Sequence, residues 1–309
     1  VSGRVCVLGS FMMDLVAYTS RRPASGETIR GNDFAIAVGG KGFNQAVAAS
    51  RAGAQSFMLG RVGADSFGDT FLEVLKNEGI DSTGVERDAE IGTGVGLPVV
   101  SANGDNSIII IPRANDLADE SFVNRHAGLI RSSDVLLLQL ELPASGAVAA
   151  ARIAKEAGVR VVLTPAPVAA LDAYVGFIDV LVPNQVEAAS LTSETFTLEE
   201  QANSLRKMLG CKEIVITLGA KGAFVSDGTS SEMILAPTVD SVDTVGAGDT
   251  LCGYLSARLS YGENLFDAAR QAVHAASLSV TRRGAALAAP AAAEVESFMR
   301  ELSLEKVAE

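Results

Sequence analysis

The sequence predicts an α/β protein built on a mainly parallel sheet, with a small second sheet projecting from the main body. Three observations carry that prediction. Short β-branched or leucine-rich runs alternate with helical patterns along the chain; each run ends in a charged or turn-forming residue; and two patches, 16–40 and 92–112, replace the alternation with turn residues and short strand-like stretches. With 309 residues and 48% hydrophobic content, the chain can bury a substantial core, as one large domain or one domain with a small appendage.

Taken in order, 5-VCVLG-9 reads as an interior strand, and Asp14 is expected near its exit, facing a cleft. In the first patch Pro23 and Gly26 separate the short stretches. An alanine-rich helix follows at 43-FNQAVAASRAG-53, then a strand and turn at 56-SFMLGRVG-63. The next helix, 66-SFGDTFLEVLKNEG-79, repeats Phe67, Phe71, Val74 and Leu75 at helical spacing. In the second patch Asn103-Gly104 reads as a hairpin turn and Ile108 to Ile111 as a strand.

The second half repeats the order more clearly. Strand-like runs at 134-DVLLLQLELP-143, 159-VRVVLTPAP-167, 178-IDVLVPN-184 and 213-EIVITLGAKG-222 are separated by helical patterns that include 144–158 and 198–210, so parallel strands with crossover helices are the economical arrangement. In such a sheet ligands gather beyond the carboxyl ends of the strands, and Asp14, Glu141, Asn184 and Thr217 fall at or just after such ends. The helix at 263–280 is expected to cover the sheet, and 285–294 to pass from turn to helix after Pro290.

A formal net charge of -12 argues against a surface that tracks a nucleic-acid backbone. Cys6, Cys211 and Cys252 are far apart, which suits buried thiols in a reducing compartment better than a disulfide framework or zinc site. No run is long enough to cross a bilayer and no signal-like segment opens the chain, so the expectation is a cytoplasmic protein away from membranes.

Two glycine clusters carry the chemistry. In 39-GGKGFNQA-46, Lys41 and Asn44 stand where a helix begins; the segment reads either as a glycine-rich turn entering a helix or as a substrate contact. In 243-DTVGAGD-249, Gly246, Ala247 and Gly248 precede Asp249 at another helix start. Unpaired N–H groups there make a pocket for an oxyanion or phosphoryl group. Asp249 reads either as a helix cap or, with a substrate hydroxyl between it and those N–H groups, as the base that accepts the hydroxyl proton.

Asn184 and Glu187 in 183-PNQVE-187 are oxygen donors suited to magnesium through water, or a capped helix start with a surface glutamate. The 217-TLGAKG-222 turn could receive a phosphate or ribose, or simply lead into a hairpin. Walker-type, dinucleotide-type and serine-hydrolase motifs are absent, and His126 and His274 are too isolated for a metal cluster; His274 reads as a packed structural histidine.

Taken together, 9-GSFMMD-14, 39-GGKGFNQA-46, 139-QLELP-143, 183-PNQVE-187, 217-TLGAKG-222, 243-DTVGAGD-249 and 281-TRRGA-285 resemble the PfkB-type carbohydrate kinases, over nearly the whole chain and most of all their ribokinase branch. The resemblance implies a ribokinase-like three-layer sandwich, α/β, with a mainly parallel central sheet and a small β-sheet lid. Residues 1–15, 39–91 and 112–309 would form the main domain, and 16–38 and 92–111 the lid.

It also implies phosphoryl transfer from ATP to a sugar hydroxyl, with Asp249 as general base and Gly246, Ala247 and Gly248 as the anion hole. Asp14, Gly40, Lys41, Asn44 and Glu141 would bind the small sugar. Asn184 and Glu187 would lie near the phosphates and Mg2+, with Thr217, Gly219, Gly222, Gly248 and His274 along the ATP cleft. Asp243 with the carbonyls of Val245, Ser279, Arg282 and Gly284 would form a monovalent-cation site, K+ being the expected ion, and paired lids would make a homodimer.

Two departures bear on specificity. Met12 stands where ribokinases have asparagine, and would suit an apolar part of the substrate; Arg113 stands where glycine is usual, and would suit an acidic or more hydroxylated one. The alternative for both is a side chain turned away from the ligand. The alternative functions are a kinase for a nucleoside, fructose or 2-keto-3-deoxygluconate, and a non-catalytic sugar or nucleotide sensor on the same fold.

Overall fold

The computed structural model describes residues 3–102 and 106–308. Its first strand, β1 (Arg4–Leu8), shows how the body is layered. Side chains alternate across a strand, so Val5 and Val7 enter one apolar core and Cys6 and Leu8 another, on opposite faces of the sheet.

After β1 the chain leaves for the lid through β2 (Met12–Thr19) and β3 (Asp33–Gly39), then returns as α1 (Lys41–Arg51). Next come β4 (Gln55–Gly63), α2 (Ser66–Asn77) and β5 (Asp81–Asp88), followed by a second excursion as β6 (Gly94–Ser101) and β7 (Asn106–Ile111). The turn predicted at Asn103-Gly104 lies outside the described residues.

The remaining strands and crossovers build the second half of the sheet. Helices α3 (Glu120–Arg125) and α4 (Ala127–Arg131) precede β8 (Val135–Leu138), and α5 (Ala144–Ala157) joins it to β9 (Arg160–Leu163). Beyond β10 (Val180–Leu181), α6 (Gln185–Leu191) and α7 (Leu198–Leu209) lead to β11 (Glu213–Thr217). A meander, β12 (Ala223–Ser226) and β13 (Ser231–Ile234), precedes α8 (Ala247–Ser260), α9 (Leu265–Ser279) and α10 (Ala292–Ala308).

The main sheet runs β13-β12-β11-β10-β9-β8-β1-β4-β5, parallel from β11 to β5 and antiparallel only at β11–β12 and β12–β13. Residues of α1, α2, α8, α9 and α10 pack on one face, those of α3 to α7 on the other. The layered α/β expectation therefore holds. Not anticipated were β5, whose polar sequence DSTGVERD suits an edge strand, and the short α3 and α4.

The second sheet runs β3-β2-β6-β7, with β2 and β6 parallel at its centre. Asp14 belongs to β2 and so rides on this small sheet, not at the exit of β1. The strand starts earlier than turn signals suggested because Met12, Met13 and Asp14 already pair with Gly39, Val38 and Ala37.

Candidate active site

The carboxyl ends of β1 and β8, the starts of α1 and α8, and the base of the lid meet around Asp249. At the entry to α1, Gly40 has φ +97°, and a Cβ there would lie 2.6 Å from the Ser10 carbonyl oxygen. Only glycine permits both. The tight entry brings the Lys41 N–H within 2.9 Å of Glu141 Oε2, which also accepts the Ser10 hydroxyl.

Asp249 is not a cap for its own helix. The N-cap of α8 is Gly246, at φ +77°, with no side-chain cap bond. The Asp249 carboxylate turns instead to α1, where Oδ2 accepts Asn44 Nδ2 at 2.9 Å and Oδ1 accepts Gln45 Nε2 at 3.0 Å. Burial raises its pKa above the ordinary carboxylate value, against the opposing pull of Lys41, Asn44 and Gln45.

Of the three N–H groups expected in the anion hole, that of Ala247 already donates to the Thr244 carbonyl, at 3.3 Å. Among the described residues, the N–H groups of Gly246, Gly248 and Asp249 make no such bond. A Cβ on Gly248 would meet nothing within 4 Å, so this glycine leaves open the space over the helix start that an anion requires. The open donors at the helix start are therefore Gly246, Gly248 and Asp249, with Ala247 withdrawn from the expected set.

The Lys41 ammonium lies in the combined field of Asp249, Glu141 and Glu187. Burial lowers its pKa, but those three carboxylates outweigh it and hold it above the ordinary lysine value. Asp14 faces the same ring from the lid: burial first, then Glu141, raises its pKa. Its carboxylate lies over two glycines, since a Cβ on Gly96 would sit 2.2 Å from Oδ1 and one on Gly39 2.7 Å from Oδ2. Met12, 5% exposed, precedes Asp14 by two residues on the same strand face, and its Cγ is 3.6 Å from the same Gly96 position.

Arg113 stands on a backbone conformation that suits glycine. Its φ of 51° is left-handed, the region where glycine is at ease, and it is the one non-glycine of this kind among the described residues. The guanidinium folds back over Gly92, donating to the Thr93 carbonyl at 3.0 Å with Asp65 4.0 Å away.

Next to the base, a cavity of about 360 Å³ lies between the β11–β12 turn and the faces of α8 and α9. Thr217, Gly219, Gly222 and Gly248 line it, with Val273, Ala276, Ser277 and Val280 as its α9 wall. His274 lies off that face: Nδ1 pairs with the Arg270 carbonyl at 2.7 Å and the ring stands edge-on to Phe298 of α10. The packed-histidine reading describes it, and it is not among the residues lining the cavity.

Asn184 and Glu187 form a reciprocal capping box at the start of α6, each side chain accepting the other's N–H at 2.8 Å. The bland reading is therefore realised, yet it uses only Oε2 of Glu187. Burial raises the Glu187 pKa, Asp249 adding to it and Asn184 and Lys41 opposing. No cluster of three or more His, Cys, Asp or Glu side chains that could hold a metal occurs among the described residues, and Asn184 and Glu187 offer two oxygen donors of the kind magnesium takes.

Asp243 ties the two segments expected at the monovalent-cation site: Oδ1 accepts the Val245 N–H and Oδ2 the Gly284 N–H, both at 3.0 Å. The Ser279 carbonyl accepts the Arg282 N–H at 3.1 Å. The five residues thus lie in two segments, one before α8 and one running on from the end of α9, that the Asp243 carboxylate joins.

Sequence reasoning missed Ser10, Gln45 and Gln139. All are buried, and the two glutamines are linked, Gln139 Nε2 donating to Gln45 Oε1 at 2.6 Å. The signal was an amide side chain inside an otherwise apolar helix face, beside Phe43, Ala46 and Val47.

A carboxylate beneath open helix-start donors, beside a glycine-lined cavity, defines a group-transfer enzyme with an anionic donor. The model of the pfkB family carbohydrate kinases matches residues 2–292, and the chain belongs to that family. It is 39% identical to the ribokinase of Haemophilus influenzae over 297 residues, covering 95% of this chain and 97% of that one. The deoxyribokinase of Salmonella typhi is 34% identical over 305 residues, covering 97% and 99%. Among solved structures, Arabidopsis thaliana ribokinase complexed with ribose and ATP superposes with a TM-score of 0.88 at 30% identity, covering 96% of this chain and 99% of that chain.

Proposed function

We propose that this carbohydrate kinase transfers the terminal phosphoryl group of ATP to a hydroxyl of ribose. The observation that carries the reading is the Asp249 carboxylate, held by α1 instead of capping its own helix, next to the open N–H groups of Gly248 and Asp249. Asp249 accepts the hydroxyl proton as the acceptor oxygen bonds to phosphorus and the bond to the ADP oxygen breaks. The two N–H groups and Lys41 stabilise the charge on the transferring group.

Asp14, Gly40, Lys41, Asn44 and Glu141 hold the sugar, Asp14 from the lid and the others from the body. Thr217, Gly219, Gly222 and Gly248 take the nucleotide. Magnesium, when bound with ATP, supplies charge neutralisation across the phosphates, and Asn184 and Glu187 are the residues that hold it, through water. Asp243 with the carbonyls of Val245, Ser279, Arg282 and Gly284 would hold a potassium ion, which would stiffen the loop that carries the donors.

Two wider readings follow. On the lid face opposite Asp14, Phe34, Ile36 and Ile109 are 58%, 58% and 64% exposed, and β7 is a free sheet edge; we propose that two lids pair there in a homodimer. Three free, buried cysteines support work in the reducing cytoplasm, and no described helix is long and apolar enough to cross a membrane.

A second acceptor reading rests on Met12. An apolar thioether beside Asp14 suits a carbon that lacks a hydroxyl, as in 2-deoxyribose. ADP release measured over ribose, 2-deoxyribose, fructose and a nucleoside, with and without Mg2+ and K+, tests both readings. Turnover with ribose or 2-deoxyribose well above the others is the expected result; turnover with none of the four overturns the assignment.

A further inference from the structure

Gln45 is fully buried on α1, and Gln139, just beyond β8, is 2% exposed. Their bonds run in one direction: Gln139 Nε2 to Gln45 Oε1 at 2.6 Å, then Gln45 Nε2 to Asp249 Oδ1 at 3.0 Å. The chain starts at Gln139 Oε1, a buried acceptor with no partner among the described residues. The backbone closes around it, since a Cβ on Gly9 would lie 2.5 Å from that oxygen.

An unpaired buried acceptor costs stability, so stability alone favours an apolar side chain at this position. What the amide adds is polarity. By occupying Gln45 Oε1, Gln139 leaves only the Gln45 NH2 to face the carboxylate. Without that donor the Gln45 amide is free to turn over, setting a carbonyl oxygen against an anionic one. Asn44 holds the other carboxylate oxygen and cannot restrain Oδ1.

We propose that Gln139 and Gln45 form a directional amide relay that fixes the Asp249 carboxylate for proton transfer; both are positioning residues, and the inference rests on the base role proposed above for Asp249. The relay acts on the rate of transfer and not on the affinity for sugar, because neither glutamine belongs to the proposed sugar contacts. A carboxylate displaced by about 1 Å loses on the order of 10²-fold in rate.

The test is a double-mutant cycle with Gln139→Met and Gln45→Met, read as kcat and KM for ribose alongside the urea unfolding midpoint. Gln139→Met is expected to lower kcat by about 10- to 100-fold with KM changed by less than about twofold. In the Gln45→Met background the same change should cost less than about twofold more, because the relay is already broken. If Gln139→Met does not fold, Gln139→Leu replaces it. Unchanged kcat, additive losses, or a fall in unfolding midpoint with full kcat per folded molecule overturns the relay. Near-full turnover in Asp249→Asn overturns the base assignment itself, whereas lost turnover there with an inert Gln139→Met overturns only the relay.

Discussion

Adding one methyl group to the lid separates sugar binding from every other property of the site. Gly96 stands opposite Asp14 in the β2–β6 pairing, and a methyl built on it lies 2.2 Å from Asp14 Oδ1. Ordinary contact begins at 3.4 Å, so in Gly96→Ala the carboxylate retreats by about 1.2 Å, the difference between the two distances. The obstacle is the end of a side chain, so the fold accommodates the change while the sugar loses its partner. A hydrogen bond to a charged group contributes about 1.5–3 kcal/mol, which is a loss of about 10- to 150-fold in acceptor affinity. Calorimetric titration with ribose and 2-deoxyribose measures the loss. The KM for ATP should not move, because β6 contributes nothing to the nucleotide cavity. Acceptor affinity within about twofold of the parent, in a folded variant, refutes Asp14 as a sugar ligand.

Asp249→Asn is expected to reduce kcat by about 10²–10⁴-fold with sugar affinity largely kept, measured by ADP release and calorimetry. Because burial raises the Asp249 pKa and the base works ionised, the acid limb of the kcat profile should lie above the ordinary carboxylate value of about 3.9, with the rate rising as pH passes through it. The same raised pKa gives a stability contribution present below the unfolded value and lost as pH rises through the folded one, so Asp249→Asn should melt no lower than the parent at neutral pH. Glu187→Gln should keep the cap on α6, glutamine serving as well at that position, while shifting the magnesium dependence of the rate; an unchanged response removes Glu187 from the metal. Arg113→Gly relieves left-handed strain of about 1–2 kcal/mol and loses one bond to Thr93, so thermal stability should change little and the preference between neutral and acidic sugars not at all.

The layered body was legible because its strands are short apolar runs and its helices carry an apolar face, patterns that need no tertiary information. The edge strand β5 was not, since a polar segment such as DSTGVERD owes its conformation to pairing with β4. Asp14 was expected at the exit of β1 yet belongs to the small sheet, because pairing of Met12 with Gly39 and Gly94 begins the lid before any turn residue does. At the site, the second glycine cluster marked a helix start with unbonded N–H groups, though not that Ala247 spends its N–H on Thr244. The buried glutamines stayed hidden, since an amide in an apolar pattern reveals its partner only in three dimensions. Arg113 looked like a hint of substrate charge; what sequence could not show is that its guanidinium turns back to the Thr93 carbonyl over Gly92, on a backbone that favours glycine.

The division of the proposed sugar contacts between two sheets has a further consequence. Asp14 belongs to the small sheet, while Lys41, Asn44 and Glu141 belong to the body. On the proposed assignment an acceptor sugar bridges the two sheets, and ATP arriving without it would find Asp249 with no alcohol to deprotonate. Acceptor occupancy would then be the licence for phosphate expenditure, guarding the nucleotide pool from idle hydrolysis without any separate regulator.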